Sequence, residues 1–202
     1  MAENTPETQI KRGRERIPPK RLTRRTLIGA FRDRLKAANA LSEIDPLTGI
    51  PNLRAYEKRR SEEIERMKRT GRKATVMLLD LDNFKQINDT QGHDSGDEQL
   101  KITALTLRRG VRATDFVARA GEKGDEFRII FPETDAKQVR LIWEERLRPI
   151  TQEMGIALSA GAAELDPSDP KGSEKTADIA MYGAKNEPNK KGNTLFVREP
   201  LQ

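Results

Sequence analysis

The sequence predicts an α/β (α+β) fold in which helices flank a central, mostly antiparallel sheet. Short apolar runs of strand length alternate with longer segments whose apolar residues recur every three or four positions, the spacing of an amphipathic helix. Two of the short runs are separated by a polar, glycine-containing loop, which is typical of a β-hairpin. The 202 residues are enough for one such domain and a terminal extension.

Two segments precede the predicted domain, which is expected to span residues 45–198. Residues 1–25 are rich in charge and poor in large apolar side chains, so they are predicted to be a disordered basic tail. Residues 26–44 show helical periodicity, through Ile28 and Phe31 among others, and are predicted to form a linker helix. This helix either packs on its own domain or pairs with a second copy of the chain.

The positive charge is concentrated near the N-terminus. Residues 11–25 carry a net charge of +7, whereas residues 45–202 hold 27 acidic and 27 basic side chains. Nucleic-acid-binding domains usually show a basic surface on the fold itself, so the neutral body argues against a nucleic-acid partner. The basic segment is interpreted as a solvated leader, with a contact to nucleic acid or acidic lipid as the less favoured alternative.

Composition excludes several other classes. The chain has no cysteine, which excludes a disulfide framework, a thiol nucleophile and a cysteine-based zinc site. No stretch is apolar for long enough to cross a bilayer, and the polar N-terminus is unlike a signal peptide. A cytoplasmic protein without a membrane span is therefore expected.

The first predicted elements of the domain are a helix, a strand and two more helices. A helix over 52–70 ends at Gly71. Its apolar face contains Leu53, Tyr56, Ile64 and Met67. The run ATVMLLDL, Ala74–Leu81, is apolar enough for a buried strand. A short helix around Phe84 and a longer helix over 96–110 come next.

A hairpin, two helices and two strands are predicted in the rest of the domain. Both hairpin strands, 116–120 and 126–131, are apolar. A helix over 135–147 is predicted to turn Val139, Ile142 and Trp143 inward. The remaining elements are a strand over 155–163, a helix over 173–185 and a strand over 194–197.

Two acidic clusters fall at the ends of predicted strands. Asp80 and Asp82 share one face of the most apolar strand, since side chains alternate along a strand. Asp125 and Glu126 lie in the hairpin loop. A carboxylate at the end of a buried strand is unfavourable unless it is paired or binds a cation, and Mg²⁺ or Mn²⁺ suits oxygen ligands. The carboxylates converge if the hairpin lies beside this strand; otherwise they are solvated turn residues.

Polar residues between the two clusters have the chemistry to bind a guanine nucleotide. Asn and Asp side chains, here Asn88, Asp94 and Asp97, can read the edge of guanine, and Lys85 can contact phosphate. The alternative is that they form turns and helix N-caps or are simply solvated. His93, the only histidine, is interpreted as a hydrogen-bonding loop residue.

Five segments resemble, in the same order, the motifs of the GGDEF domain family. They are DPLTGIPN, Asp45–Asn52; LDLDNFKQINDTQGHDSGDE, Leu79–Glu98; FVARAGEKGDEF, Phe116–Phe127; LSAGAA, Leu158–Ala163; and ADIAMYGAK, Ala177–Lys185. The resemblance implies a fold like that of nucleotidyl cyclases and polymerase palms. It implies a diguanylate cyclase, which condenses two GTP into cyclic di-GMP with release of pyrophosphate. Mg²⁺ or Mn²⁺ would be the cofactor, and a homodimer would bring two GTP-bearing domains face to face.

The resemblance also implies roles for individual residues. Asp80, the backbone carbonyl of Leu81 and Asp125 would bind metal. Asp125 and Glu126 would be catalytic. The residues that would bind substrate are Lys85, Asn88, Asp97, Gly124 and Lys185.

Arg112 and Asp115 match the family's RxxD pattern, at which the product inhibits the enzyme. An arginine can clamp phosphate or the guanine edge with two hydrogen bonds. The alternative is a local salt bridge at a helix end.

The family signature, RxGGDEF, is altered in this chain. Glu122 and Lys123 are additional residues between its two glycines. An insertion of two residues preserves the alternation of side chains, so Asp125 and Glu126 could keep their faces. The insertion favours an alternative function, a catalytically inactive module that binds cyclic di-GMP or GTP as a sensor. The segment after Lys185 is also longer than the family pattern, and either Lys190 or Lys191 is expected to replace a phosphate-binding arginine.

Overall fold

The chain divides into two units, which are described separately. In the first, Met1–Ser42, residues Ile28, Gly29, Phe31 and Arg32 have helical backbone, and the tail predicted over 1–25 lies outside the described residues. The second is Glu43–Gln202. The computed structural model describes residues 28–29, 31–32, 42–121, 124–187 and 193–198.

The second unit is built on a mixed five-stranded sheet with the order β2-β3-β1-β4-β5. The central strand β1 is antiparallel to both β3 and β4, β2 is antiparallel to β3, and β5 is parallel to β4. Three of the four pairings are thus antiparallel. The strands are β1, Ala74–Leu81; β2, Phe116–Arg119; β3, Glu126–Pro132; β4, Leu158–Glu164; and β5, Thr194–Arg198.

Helices cover both faces of this sheet. They are α1, Leu53–Thr70; α2, Phe84–Gln91; α3, His93–Gly110; α4, Ala136–Ile142; α5, Arg148–Glu153; and α6, Pro170–Lys185. Alternate residues of β1 enter two cores, so that Leu79 packs with α3 and α4 while Leu78 packs with α1 and α6. All of β1 is therefore buried. Among the helices that the structure describes, none has both the length and the apolarity needed to cross a bilayer.

Local sequence signals explain the ends of α1. The Asn52 side chain caps its start by accepting a hydrogen bond from the Ala55 N–H, and Gly71 ends it in the left-handed region, at φ 69°. Tyr56, Ile64 and Met67 are buried as predicted, but Leu53 is exposed.

Three elements begin at other residues than predicted. α3 starts before Gly96, which lies inside the helix where Asn88 packs against it. β4 starts after Gly155, because the chain still turns there with φ 66°. α6 starts earlier than predicted, since Asp169 caps it and Pro170 occupies its first turn.

The helix predicted over 135–147 continues into a helix that the sequence analysis missed. Asp135 and Gln138 form a capping box at the start of α4. Trp143–Leu147 then forms a π-helical turn, and α5 follows. Pro149 lacks an N–H and lies directly after the π-helical turn, in which the Arg148 N–H bonds to the Trp143 carbonyl.

Asn193 fixes the start of β5. Its Nδ2 donates to the Ile156 carbonyl at 2.7 Å, and its Oδ1 accepts from the Leu158 N–H at 3.0 Å. The backbone of Asn193 is left-handed, with φ 48°. The side chain thereby makes the hydrogen bonds that a neighbouring strand would make at the beginning of β4.

Candidate active site

β1 and β3 bring two carboxylates side by side at one end of the sheet. Asp80, next to last in β1, pairs in register with Glu126, the first residue of β3. Asp125 is held beside them by a backbone hydrogen bond of 3.3 Å from the Leu81 N–H to its carbonyl. One oxygen from each of Asp80, Asp125 and Glu126 lies within 4.8 Å of the other two. These three residues are called the acidic triad.

Lys185, the last residue of α6, reaches the acidic triad from the covering helix layer. Its Nζ lies 2.6 Å from Oδ1 of Asp80, which is buried. Burial raises the pKa of Asp80, and the charges of Asp125 and Asp82 add to this, so that the lowering by Lys185 is outweighed. Burial alone would lower the pKa of Lys185, but the hydrogen bond and charge of Asp80 raise it. Lys185 therefore stays charged beside Asp80.

Glu126 experiences the same concentration of negative charge. Burial is the main reason that its pKa is raised, and the charges of Asp80, Asp125 and Asp178 contribute further. Arg128 acts in the opposite direction. Such a group of carboxylates is most stable with a cation among them.

The donor set of the acidic triad fits a hard divalent cation. All three side chains offer oxygen, the ligand that Mg²⁺ and Mn²⁺ prefer. Oδ1 of Asp125 is buried and has no hydrogen-bond partner within the described part of the chain. A buried carboxylate oxygen without a partner is unfavourable, and a bound cation would satisfy it.

The loop between β2 and β3 is called the signature loop. The structure describes Gly121 and Gly124 but not the two residues between them. Gly124 has φ 80°, which favours glycine. Its carbonyl accepts a 2.8 Å hydrogen bond from Nε of Arg119, whose Nη1 lies 3.0 and 3.2 Å from the two carboxylate oxygens of Asp45. This link between the DPLTGIPN segment and the loop is not predicted from the sequence.

The predicted guanine-binding residues lie on α2 and α3. A Cβ atom on Gly96 would be 2.0 Å from Oδ1 of Asn88, so Asn88 packs against the residue that precedes Asp97. Lys85 and Asp97 are exposed. No hydrogen bond or ion pair joins Lys85, Asn88 or Asp97 to the acidic triad in the regions that the structure describes.

The predicted inhibitory pair lies in the turn between α3 and β2. Asp115 is buried, and its Oδ2 accepts a 2.8 Å hydrogen bond from the backbone N–H of Arg112. Burial raises the pKa of Asp115. The side chain of Arg112 is exposed, and no ion pair between it and Asp115 occurs within the described ranges. Arg59 and Arg108 line a cavity beside this turn.

No role in the site is predicted from the sequence for Asp178, Tyr56, Arg128 or Glu174. Asp178 and Lys185 are two helical turns apart, so their shared face of α6 could have been recognised from spacing. Tyr56, Arg128 and Glu174 lie on α1, β3 and α6. They meet through contacts such as the 2.8 Å hydrogen bond that the Tyr56 hydroxyl donates to Glu174. No local pattern signals such a contact.

Comparison with known sequences gives one family and several relatives. The profile described as "Diguanylate cyclase, GGDEF domain" matches residues 42–191. Diguanylate cyclase DgcP of Pseudomonas aeruginosa is 35% identical over 165 residues, which are 77% of this chain and 24% of that protein. Probable diguanylate cyclase DgcC of Escherichia coli K12 is 36% identical over 154 residues, 72% of this chain and 41% of the relative. The chain thus spans less than half the length of these relatives.

Solved structures support the predicted fold. Diguanylate cyclase SiaD of Pseudomonas aeruginosa, in complex with its activator SiaC, superposes with a TM-score of 0.71 at 31% identity, covering 85% of this chain and 68% of SiaD. The GGDEF domain of DgcB from Caulobacter crescentus, in complex with c-di-GMP, gives 0.68 at 27% identity, covering 77% and 95%. The predicted fold class is confirmed.

Proposed function

This chain belongs to the GGDEF family of diguanylate cyclase domains, and from this we propose that it condenses two molecules of GTP into cyclic di-GMP. The observation that carries the proposal is the convergence of the acidic triad with Lys185 at one end of the sheet. Positioning of two nucleotides and neutralisation of phosphate charge are the main requirements of such a phosphoryl transfer.

Each of the two condensation steps makes one bond and breaks one. The 3′-oxygen of one GTP bonds to the α-phosphorus of the other, the bond from that phosphorus to the β-phosphate oxygen breaks, and pyrophosphate leaves. The proton of the 3′-hydroxyl must be removed, and Glu126, whose pKa is raised by burial and by Asp80, is the carboxylate we assign to accept it.

We assign a Mg²⁺ or Mn²⁺ site to Asp80, Asp125 and the carbonyl of Leu81. A divalent ion, when bound there, supplies positive charge to the phosphates and lowers the pKa of a nearby hydroxyl. Lys185, which pairs with Asp80, and Lys85 would contact phosphate oxygens.

Recognition of guanine is assigned to Asn88 and Asp97, and Gly124 lets the loop backbone approach the nucleotide closely. Each domain would hold one GTP, so two copies of the chain would have to face each other. The inhibitory site for the product is assigned to Arg112 and Asp115.

The test is incubation of the full chain with GTP and either Mg²⁺ or Mn²⁺, with cyclic di-GMP measured by chromatography and mass spectrometry. Asp125→Asn should lower the rate by about 100-fold or more, the scale for losing a group that stabilises transition-state charge. Glu65→Gln, on the exposed surface of α1, is the matched control and should leave the rate unchanged. Absence of product with both ions would refute the proposed diguanylate cyclase activity.

The second candidate function is an inactive module that binds cyclic di-GMP as a sensor. Two features favour it, namely the Glu122–Lys123 insertion and the exposed side chain of Arg112 beside Asp115. This function predicts no product, together with cyclic di-GMP binding at about micromolar concentration. Binding should be lost in Arg112→Ala.

A further inference from the structure

A polar cluster lies between α1, β3 and α6, beside the hairpin that β2 and β3 form. It consists of Tyr56, Arg60, Arg128 and Glu174 and is called the Glu174 cluster. The Tyr56 side chain is completely buried, and the other three side chains are between 15% and 21% exposed. The surrounding core is apolar and includes Leu78.

The carboxylate of Glu174 is the centre of this cluster. The Tyr56 hydroxyl donates to its Oε1 at 2.8 Å, and Nη1 of Arg60 donates to its Oε2. Nη1 of Arg128 lies 3.7 Å from Oε1, and the Arg128 guanidinium lies 5.3 Å from the centre of the Tyr56 ring. Arg128 is therefore held by a carboxylate on one helix and an aromatic ring on another.

Arg128 also contacts the backbone that leads into the signature loop. Its Nε donates a 3.1 Å hydrogen bond to the carbonyl of Ala120, the first residue after β2. The N–H of Ala120 donates to the Glu126 carbonyl at 3.0 Å. The side chain of Arg128 and the backbone of Glu126 thus hold the same residue.

The cluster also sets the position of α6 against the sheet. Glu174 lies one turn before Asp178 on α6, and Lys185 ends this helix at Asp80. The Glu174–Arg128 contact fixes α6 to β3, while the Lys185–Asp80 ion pair fixes it to β1.

A contribution to stability does not by itself explain why these side chains are polar. Buried ion pairs lose much of their attraction to desolvation, and apolar residues of similar volume often stabilise a protein equally well. The neighbouring core residues are apolar. What the polar side chains add is directional hydrogen bonding to a specific carbonyl, that of Ala120.

We propose that Arg128, held by Glu174 and Tyr56, is a positioning residue that fixes Ala120 and thereby the strand end carrying Asp125 and Glu126. Arg128 touches neither substrate nor metal in this role. The inference rests on the proposed metal site at Asp80, Asp125 and the carbonyl of Leu81.

The test is the affinity of the full chain for Mn²⁺ without nucleotide, measured by electron paramagnetic resonance. Arg128→Met leaves Glu174 paired with Arg60 and Tyr56 and should weaken Mn²⁺ binding about 10-fold, as seen when residues that orient metal ligands are lost. Arg128→Lys retains the charge and one donor and should recover part of the affinity. Glu174→Gln should weaken binding in the same direction.

A purely structural role predicts a different result. Loss of stability does not change the Mn²⁺ affinity of molecules that remain folded, so urea unfolding of each variant is measured in parallel. Arg66→Met is the matched control, because Arg66 joins α1 to Glu133, just beyond β3, through a 2.8 Å ion pair away from the site. It should change Mn²⁺ affinity less than about twofold.

Unchanged Mn²⁺ affinity in folded Arg128→Met and Glu174→Gln would overturn the positioning role while leaving the proposed enzyme intact. If Arg128→Met does not fold, Glu174→Gln and Arg128→Lys decide. A wild-type chain that binds no Mn²⁺ would overturn both the metal site and this inference.

Discussion

Asp45 and Arg119 form a shielded ion pair at the start of the second unit. Their side chains are 16% and 17% exposed, and the contact involves both carboxylate oxygens of Asp45. Burial raises the pKa of Asp45, but hydrogen bonds from Thr48 and Arg119 outweigh it, so the pKa is lowered. Since Arg119 also holds Gly124, the charge of Asp45 stabilises the backbone beside Asp125.

Asp45→Asn should destabilise the protein in a pH-dependent way. Asparagine keeps an oxygen for the Thr48 N–H but loses the charge, so we expect the free energy of unfolding to fall by about 1–2 kcal/mol near neutral pH. Because the folded pKa of Asp45 lies below its ordinary value of 3.8, this stabilisation is present above that value and is lost as pH falls through the folded pKa. Urea unfolding at several pH values measures it. A difference that stays constant down to the lowest pH would contradict the role of charge.

Arg112 gives a prediction about product inhibition. If the enzyme is active, Arg112→Ala should raise the cyclic di-GMP concentration needed for half-inhibition by about tenfold, the effect of losing about 1.4 kcal/mol of binding. Initial rates at increasing product concentration measure this. Arg109→Ala removes a neighbouring exposed arginine of α3 and serves as the control. Equal inhibition of both variants and the wild type would place the inhibitory site elsewhere.

At the scale of elements, the backbones of α6 and β4 lie in close contact at Gly161. A Cβ atom there would lie 2.1 Å from both the Ala177 carbonyl oxygen and the Met181 nitrogen. These are backbone atoms, so they cannot rotate away. Gly161 therefore determines how deeply α6 packs on the sheet and where Lys185 meets Asp80.

Gly161→Ala should therefore disturb both stability and the site. Overpacking against backbone is expected to lower the free energy of unfolding by about 3 kcal/mol and to lower the rate of cyclic di-GMP formation. Gly183→Ala is the matched control on α6, because its Cβ would meet only the half-exposed Phe196 ring, at 3.0 Å. It should change stability by less than about 1 kcal/mol. Urea unfolding distinguishes the two, and equal values would be inconsistent with close packing at Gly161.

One strand and two helices show which parts of the fold can be predicted from the sequence. β1 was predicted to the residue, since an apolar run ending in carboxylates has few other interpretations. α5 was missed because a proline usually marks the end of a helix, whereas here a π-helical turn precedes Pro149 and the chain stays helical. α3 was predicted to begin at Gly96, but the contact that accommodates this glycine comes from Asn88 on another helix.

The candidate site likewise contains residues that local motifs predict and residues that they do not. Asp80, Asp125 and Lys185 belong to motifs that are recognisable along the chain, and the structure brings them together. Tyr56 and Glu174 are 118 positions apart and meet only through the fold. Such contacts depend on the packing of whole elements, which no local pattern encodes.

For the molecule as a whole, the proposed reaction requires two copies of the chain. Ile28 and Phe31, on the predicted linker helix, are 60% and 70% exposed and could pair with a second copy. Replacing both with lysine should weaken the dimer, so the specific activity at low protein concentration should fall and recover as concentration rises. Light scattering and activity assays over a concentration series measure this. A wild-type chain that is monomeric at every concentration would contradict pairing through this helix.

Asn193 has a consequence for how the chain length can vary. By hydrogen bonding at both Ile156 and Leu158, it locks the alignment of the last strand independently of what precedes it. Residues can therefore be added or removed between Lys185 and Asn193 without shifting the sheet. A connection longer than the family pattern, as predicted after Lys185, can be accommodated here while Lys185 stays beside Asp80.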